Sequence, residues 1–130
     1  MIQKEKKYGE LEIDQFDIAD PTNFWEHKHP KNYLIDIKLP EFMCRCPRSG
    51  YFDFACIYLQ YSPDKYVIEL KALKLYINSF ADRYISHEDV ANEIFDTLYS
   101  NLSPKKLKTT FKFNPRGNVT TDITIDSELI

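Results

Sequence analysis

Glycine is scarce in this chain, at three of 130 residues, and cysteine is no commoner, also at three. There is no G-x-G-x-x-G run and no Walker loop, so any dinucleotide has to be held outside a Rossmann unit. No apolar stretch approaches the ~18 residues that a membrane span requires, which argues against a membrane partner. The chain opens Met1-Ile2-Gln3-Lys4 and continues into charged residues instead of an apolar export core. With an odd cysteine count, that start predicts a cytoplasmic protein whose thiols stay reduced. A basic excess is missing too: the formal charge is −3, with seven acids against four lysines in residues 1–30 and an even balance thereafter. Nucleic-acid binders usually carry a basic face to neutralise phosphates, so no nucleic-acid partner is expected.

What is present is apolar material: 43% hydrophobic and 15% aromatic residues, enough to build one core in one domain. Residues 1–32 are charged, poorly periodic and broken by Pro21 and Pro30, and read as an N-terminal arm with room for one short element. Its Trp25 is expected to dock. Residues 33–130 read as a single domain.

Within that domain Tyr33, Ile35, Ile37 and Leu39 alternate with Leu34, Asp36 and Lys38, the period of a half-buried strand. A second strand, Phe54 to Tyr61, is apolar on both sides and should be covered on both faces. Between them Pro40 to Asp53 lacks periodicity and reads as a long connection, a kind usually retained for function. Glu69 to Phe80 places Leu70, Leu73, Ile77 and Phe80 on one helical stripe. Ser86 reads as the N-cap of a second helix that carries Val90, Ile94, Phe95, Leu98 and Leu102 and ends at Pro104. Then Leu107, Phe111 and Phe113 alternate with lysines, Asn114-Pro115-Arg116-Gly117 turns, and Val119, Thr121, Ile123 and Ile125 alternate on the way back. The expected fold is α+β: an antiparallel four-stranded sheet with two helices on one face, in the order ββααββ. Uncovered sheet edges favour self-association.

The long connection holds Cys44-Arg45-Cys46-Pro47-Arg48-Ser49-Gly50-Tyr51-Phe52-Asp53. Arginines on both sides of Cys46 would acidify its thiol and make a competent nucleophile, although an idle thiol has the same composition. Asp53, at the mouth of an apolar strand, would have its pKa raised and could act as an acid; a strand-entry aspartate bonded to backbone is the alternative. His87 and Glu88 offer an imidazole and a carboxylate at a helix N-terminus, a position that the helix dipole favours for an acid in any case. Lys71 and Lys74 are three apart and could share a phosphate or simply be solvated. Lys105, Lys106, Lys108, Lys112 and Arg116 form an acid-free run that suits either an exposed strand edge or a phosphate. His27-x-His29 and Cys44-x-Cys46 are zinc-type ligands without the usual two-residue spacer.

Taken together, Cys46-Pro47-Arg48-Ser49-Gly50, Asp53-Phe54-Ala55, Glu69-Leu70-Lys71-Ala72-Leu73-Lys74-Leu75-Tyr76, His87-Glu88 and Phe113-Asn114-Pro115-Arg116-Gly117 resemble the NADPH-dependent 7-cyano-7-deazaguanine reductases in order and spacing. The likeness covers about residues 33–125. It implies the tunnelling fold and a decamer of two pentamers closing a barrel, with active sites at subunit interfaces. It implies that Cys46 forms a thioimide with the nitrile, that Asp53 is the proton donor and that His87 is a further proton source. Ile68, Glu69, Leu70, His87 and Glu88 would bind the base, and Lys71, Lys74 and Arg116 would contact NADPH. Two departures are visible: Arg83 is displaced beyond Ala81 and Asp82, and Val90 stands where some relatives carry a second cysteine. The competing expectations are a zinc-dependent pterin or purine hydrolase related to GTP cyclohydrolase I, using His27, His29, Cys44 and Cys46, and a non-catalytic purine-binding oligomer.

Overall fold

The computed structural model describes residues 16–129. The arm contributes one short strand, β1 (Phe24–Glu26). The chain then forms an antiparallel hairpin from β2 (Ile35–Arg45) and β3 (Phe52–Ser62), followed by a short strand β4 (Tyr66–Ile68) that pairs with β1 in a separate two-stranded sheet. Helices α1 (Leu70–Asn78) and α2 (His87–Leu102) come next, and β5 (Lys106–Phe113) and β6 (Asp122–Asp126) complete the larger sheet in the order β2-β3-β5-β6. Both helices pack on one face of that sheet. The expected ββααββ core is therefore present, with the arm supplying an extra short strand.

The connection expected from Pro40 to Asp53 is not a long loop. β2 runs on to Arg45 and only residues 46–51 turn, because the period slips by one residue between Leu39 and Phe42. Pro40 lies in that slip, on an edge strand, where a residue without an N–H and a β-bulge are both tolerated. Beyond it Phe42 and Cys44 resume the inward phase and are buried.

The inward face of the sheet meets α1 through Leu73, Tyr76 and Ile77 and α2 through Val90, Ile94, Leu98 and Leu102, all buried. On β3 the inward positions Asp53, Ala55, Ile57, Leu59 and Tyr61 are buried at every second residue. The opposite face is not covered as expected: Phe54 and Tyr58 are exposed, because both helices occupy one side. Nor does Trp25 dock, being 62% exposed on β1 beside Val67.

The lysine-rich strand β5 is central, not an edge, and Lys108 and Lys112 pair across the ladder with Asp126 and Asp122. Opposite charges at facing positions explain those two lysines without a phosphate. The final hairpin turns two residues later than expected, at Gly117 and Asn118, both with positive φ (56° and 71°), between the bridged residues Arg116 and Val119. Positive φ at both central positions is the signature of the type I′ turn, which explains a Gly-Asn pair there. Val119 consequently sits at the exposed turn, and β6 begins at Asp122.

Candidate active site

Cys46 closes the β2–β3 hairpin. Its own N–H donates to Tyr51 O and its carbonyl accepts from Gly50 N, both at 2.9 Å, and Gly50 completes the turn at φ 74°. Pro47 follows the cysteine, where a residue lacking an N–H costs nothing, so the sulfur sits like an N-cap atom over the amides of Arg48 and Ser49. The Ser49 hydroxyl and those amides hydrogen-bond the sulfur and bring its pKa down to about 7. Cys46 is half-buried, which leaves its sulfur reachable.

The acidifying groups are not the flanking arginine side chains that the sequence suggested. Arg45 turns away: Nη1 donates to Gly50 O at 3.2 Å, Nη2 meets Asp82 at 3.3 Å, and the guanidinium lies 4.1 Å over the Phe52 ring. Arg48 contributes through its backbone. Cys44, two residues earlier and phased inward, is the opposite case, its pKa pushed up to about 11 by burial and by the nearby charges of Asp53 and Cys46.

Asp53 is the first inward position of β3 and is 4% exposed. The hydrocarbon setting expected for it is incomplete, since Arg116 Nη1 donates to Oδ1 at 2.6 Å and His87 Nε2 stands 3.2 Å from Oδ2. A buried carboxylate needs such partners. The type I′ turn delivers Arg116, and helix α2 delivers His87. The linker before α2 is pinned to the end of β2, with Arg45 N donating to Arg83 O at 2.8 Å and Ile85 N to Arg45 O at 3.0 Å. Ser86 then caps the helix, its hydroxyl accepting from Asp89 N at 3.1 Å. The His87 ring stacks on Phe113 at 3.7 Å and 7°, fixing the imidazole face.

Cys46, Asp53, His87, Glu88 and Arg116 thus line one cavity of about 330 Å³, together with Pro47, Arg48 and Ser86. Arg116 stands with Cys46 and Asp53 rather than with Lys71 and Lys74. Ser49 and Phe113 were not among the residues picked out from the sequence; the signal for Ser49 was its place three residues after Cys46 behind a proline, the spacing of a capping contact.

Ile68, Glu69 and Leu70 are not brought to this cavity. Ile68 N donates to the Tyr61 hydroxyl at 3.3 Å, at the far end of β3 from Asp53, roughly 25 Å away by strand rise alone. Glu69 is the N-cap of α1, with its carboxylate oxygens accepting from Lys71 N at 3.0 Å and Ala72 N at 2.7 Å. Lys71 and Lys74 are exposed one turn apart on α1, whose first turn holds no acid. Two ammonium groups three residues apart, beside the capping carboxylate of Glu69, are a donor set that could meet the phosphates of a dinucleotide. Arg83 is engaged elsewhere, its two terminal nitrogens donating to Glu93 at 2.6 and 3.0 Å, and Val90 is fully buried.

The zinc-type side chains are likewise separated. His27 sits beside Lys65 and Asp64 at the β3–β4 turn, its N–H donating to Lys65 O at 2.9 Å, at the opposite end of the sheet from Cys44 and Cys46. Among the described residues no group of three or more His, Cys, Asp or Glu side chains could hold a metal ion, and no helix is long and apolar enough to cross a membrane.

Residues 52–129 match the family described as QueF-like protein. The NADPH-dependent 7-cyano-7-deazaguanine reductase of a Sulfurovum species is 68% identical over 122 residues, spanning 94% of this chain and 98% of that protein. The protein of the same name from a Nitratiruptor species is 63% identical over 95% of both chains, and that from Sulfurimonas denitrificans is 55% identical over 93% and 97%. Among solved structures, the archaeosine synthase QueF-Like in the apo form superposes with a TM-score of 0.65 at 22% identity, over 77% of this chain and 96% of that one, which supports the same fold. With relatives this similar over nearly its whole length, the chain belongs to the NADPH-dependent 7-cyano-7-deazaguanine reductase family of QueF-like proteins.

Proposed function

We propose that this chain carries out the reaction of its family, the NADPH-dependent reduction of the nitrile of 7-cyano-7-deazaguanine to 7-aminomethyl-7-deazaguanine in queuosine biosynthesis, through a covalent bond to Cys46. The observation that carries the mechanism is an acidified, reachable sulfur in one cavity with a buried carboxyl and its half-buried imidazole partner. A nitrile carbon is an electrophile, and a thiolate is the strongest nucleophile a side chain supplies near neutral pH. As the Cys46 sulfur bonds to that carbon, one π pair of the nitrile moves to nitrogen, which takes a proton from Asp53. That proton reaches the Asp53 carboxylate from His87 Nε2, 3.2 Å from Oδ2, so the pair gives up one proton per addition. The product is a neutral thioimide. Two NADPH molecules, bound in turn, would each supply one hydride to carry the carbon to a primary amine, and the sulfur would leave as thiolate between the two. The covalent bond retains the half-reduced substrate at the site.

Glu88, exposed at the cavity mouth in the first turn of α2, is positioned to accept hydrogen bonds from the guanine-like edge of the substrate. Lys71 and Lys74 would hold the cofactor phosphates. Because Ile68–Leu70 lie at the other end of the sheet, they join the base pocket only when contributed by a second copy. The uncovered Phe54 and Tyr58 face and the edge strands β2 and β6 support self-association; the size proposed for it, a decamer of two pentamers in the cytoplasm, comes from the family resemblance alone.

Intact-mass measurement tests the mechanism. Protein with saturating nitrile and no NADPH should gain the mass of the substrate, and Cys46→Ala should not. Absence of the adduct in the parent protein under those conditions would refute it. Loss of NADPH absorbance only on addition of the nitrile separates turnover from simple base binding.

A further inference from the structure

Every hydrogen-bonding position of the Ser49 hydroxyl has a partner. Arg116 Nη2 donates to its oxygen at 3.2 Å, and Tyr51 N donates to the same oxygen at 3.2 Å. A hydroxyl has two acceptor lone pairs and one hydrogen. With both lone pairs taken, that hydrogen is free to go to the Cys46 sulfur, the remaining partner of Ser49. The other terminal nitrogen of Arg116 holds Asp53 Oδ1 at 2.6 Å, so one rigid guanidinium fork reaches both the acid and the turn that carries the nucleophile.

From this arrangement we infer that Ser49 is a positioning residue of the site, whose hydroxyl braces the Arg116 guanidinium against the turn that carries Cys46 and donates to the sulfur that Arg116 also reaches. The link polarises the donor: a hydroxyl that accepts from a cation donates more strongly to an anion. It also ties the β2–β3 hairpin to the β5–β6 hairpin at the cavity, setting the spacing between sulfur and Asp53. The hydroxyl acts through Cys46 and takes no part in bond making. Threonine keeps the same three partners available, whereas alanine leaves the sulfur one donor short and Arg116 Nη2 one acceptor short.

The inference rests on the nucleophile reading only for its consequence in turnover, and its test needs neither nitrile nor NADPH. The intact assembly is alkylated with iodoacetamide from about pH 5.5 to about pH 9.5, with the Cys46 peptide quantified by mass spectrometry. In Ser49→Ala the midpoint should rise by about one unit, slowing Cys46 labelling at pH 7 about fivefold, while Ser49→Thr keeps the parent midpoint. Buried Cys44 stays unlabelled in both variants, reporting an intact core. A Ser49→Ala midpoint equal to the parent's overturns the inference, as does a threonine variant that behaves like alanine. Labelling of Cys44 in Ser49→Ala also overturns it, because the change would then come from lost packing. A shifted midpoint in a protein that forms no nitrile adduct upholds the Ser49 link while removing Cys46 from the mechanism.

Discussion

Replacing Asp53 by asparagine should move two properties of the site in opposite directions. The amide is isosteric and its oxygen can still accept from Arg116 Nη1, so the geometry fixed by the 2.6 Å contact should survive. What disappears is the negative charge of the resting carboxylate and, with it, the group that passes a proton from His87 to the nitrile nitrogen. The charge of Asp53 works against the Cys46 thiolate and is the smallest of the influences on that sulfur, below burial and below the Ser49 and Arg48 hydrogen bonds. Its removal therefore lowers the midpoint slightly below about 7. At pH 6, where about a tenth of the sulfur is ionised, a drop of about half a unit raises the thiolate fraction about two- to threefold. Turnover should fall by about 10²–10⁴, the usual contribution of a positioned general acid. The assay pairs iodoacetamide labelling of Cys46 with NADPH consumption in the presence of nitrile, and calorimetric binding of the amine product should change little. If labelling and turnover fell together, Asp53 would be supporting the nucleophile instead of protonating nitrogen. Unchanged turnover would remove Asp53 from catalysis altogether.

Other perturbations read different parts of the structure. Cys44, buried and held near 11, should resist alkylation at pH 8 in the folded protein and react only on unfolding, so labelling at the rate of Cys46 would contradict the packing of β2. Ser86→Ala removes the hydroxyl that accepts from Asp89 N and should cost about 1 kcal/mol, a fall in melting temperature of roughly 3–5 °C, with some loss of activity because the same turn presents His87. Lys71→Ala and Lys74→Ala should raise KM for NADPH with kcat little changed and weaken its salt dependence; a kcat effect without a KM effect would move the phosphate site elsewhere.

Much of this was legible in the sequence because the signals were local and periodic. The stripe from Val90 to Leu102 and the Ser86 cap identified α2, and the alternation in β5 identified a strand, since one buried face dictates the phase of every side chain on it. The misread connection failed for a physical reason: a one-residue bulge at Pro40 reverses the phase, so Phe42 and Cys44 look aperiodic when counted from Leu39. Strand order was equally beyond reach, since nothing in Lys106–Phe113 reveals that β5 is central and that its lysines meet Asp122 and Asp126. At the site, Cys46, Asp53, His87 and Glu88 were candidates from residue type, placement and resemblance, and the fold brings the four to one cavity. The acidifying contacts were not, because they come from backbone amides and a serine hydroxyl whose orientation depends on Gly50 at φ 74° and on a fork reaching over from a distant turn.

The source of acidity matters for what the site can do. A thiol made acidic by freely moving arginine side chains would lose much of that effect to solvent and salt, because exposed charges are screened. Here the main donors are two amides locked in a proline-led turn and a hydroxyl with both lone pairs occupied; Arg116, which also reaches the sulfur, is itself held by Asp53 and Ser49, and Arg45 is spent on Gly50, Asp82 and Phe52. Such donors are already oriented before a substrate arrives and need little reorganisation when charge leaves the sulfur for nitrogen. The same turn leaves one side of the sulfur open to the cavity that it shares with Asp53, the residue proposed to supply the compensating proton. Asp53 and the turn that carries Cys46 are therefore joined through a single guanidinium, and the distance between them is set by the fold instead of by the ligand.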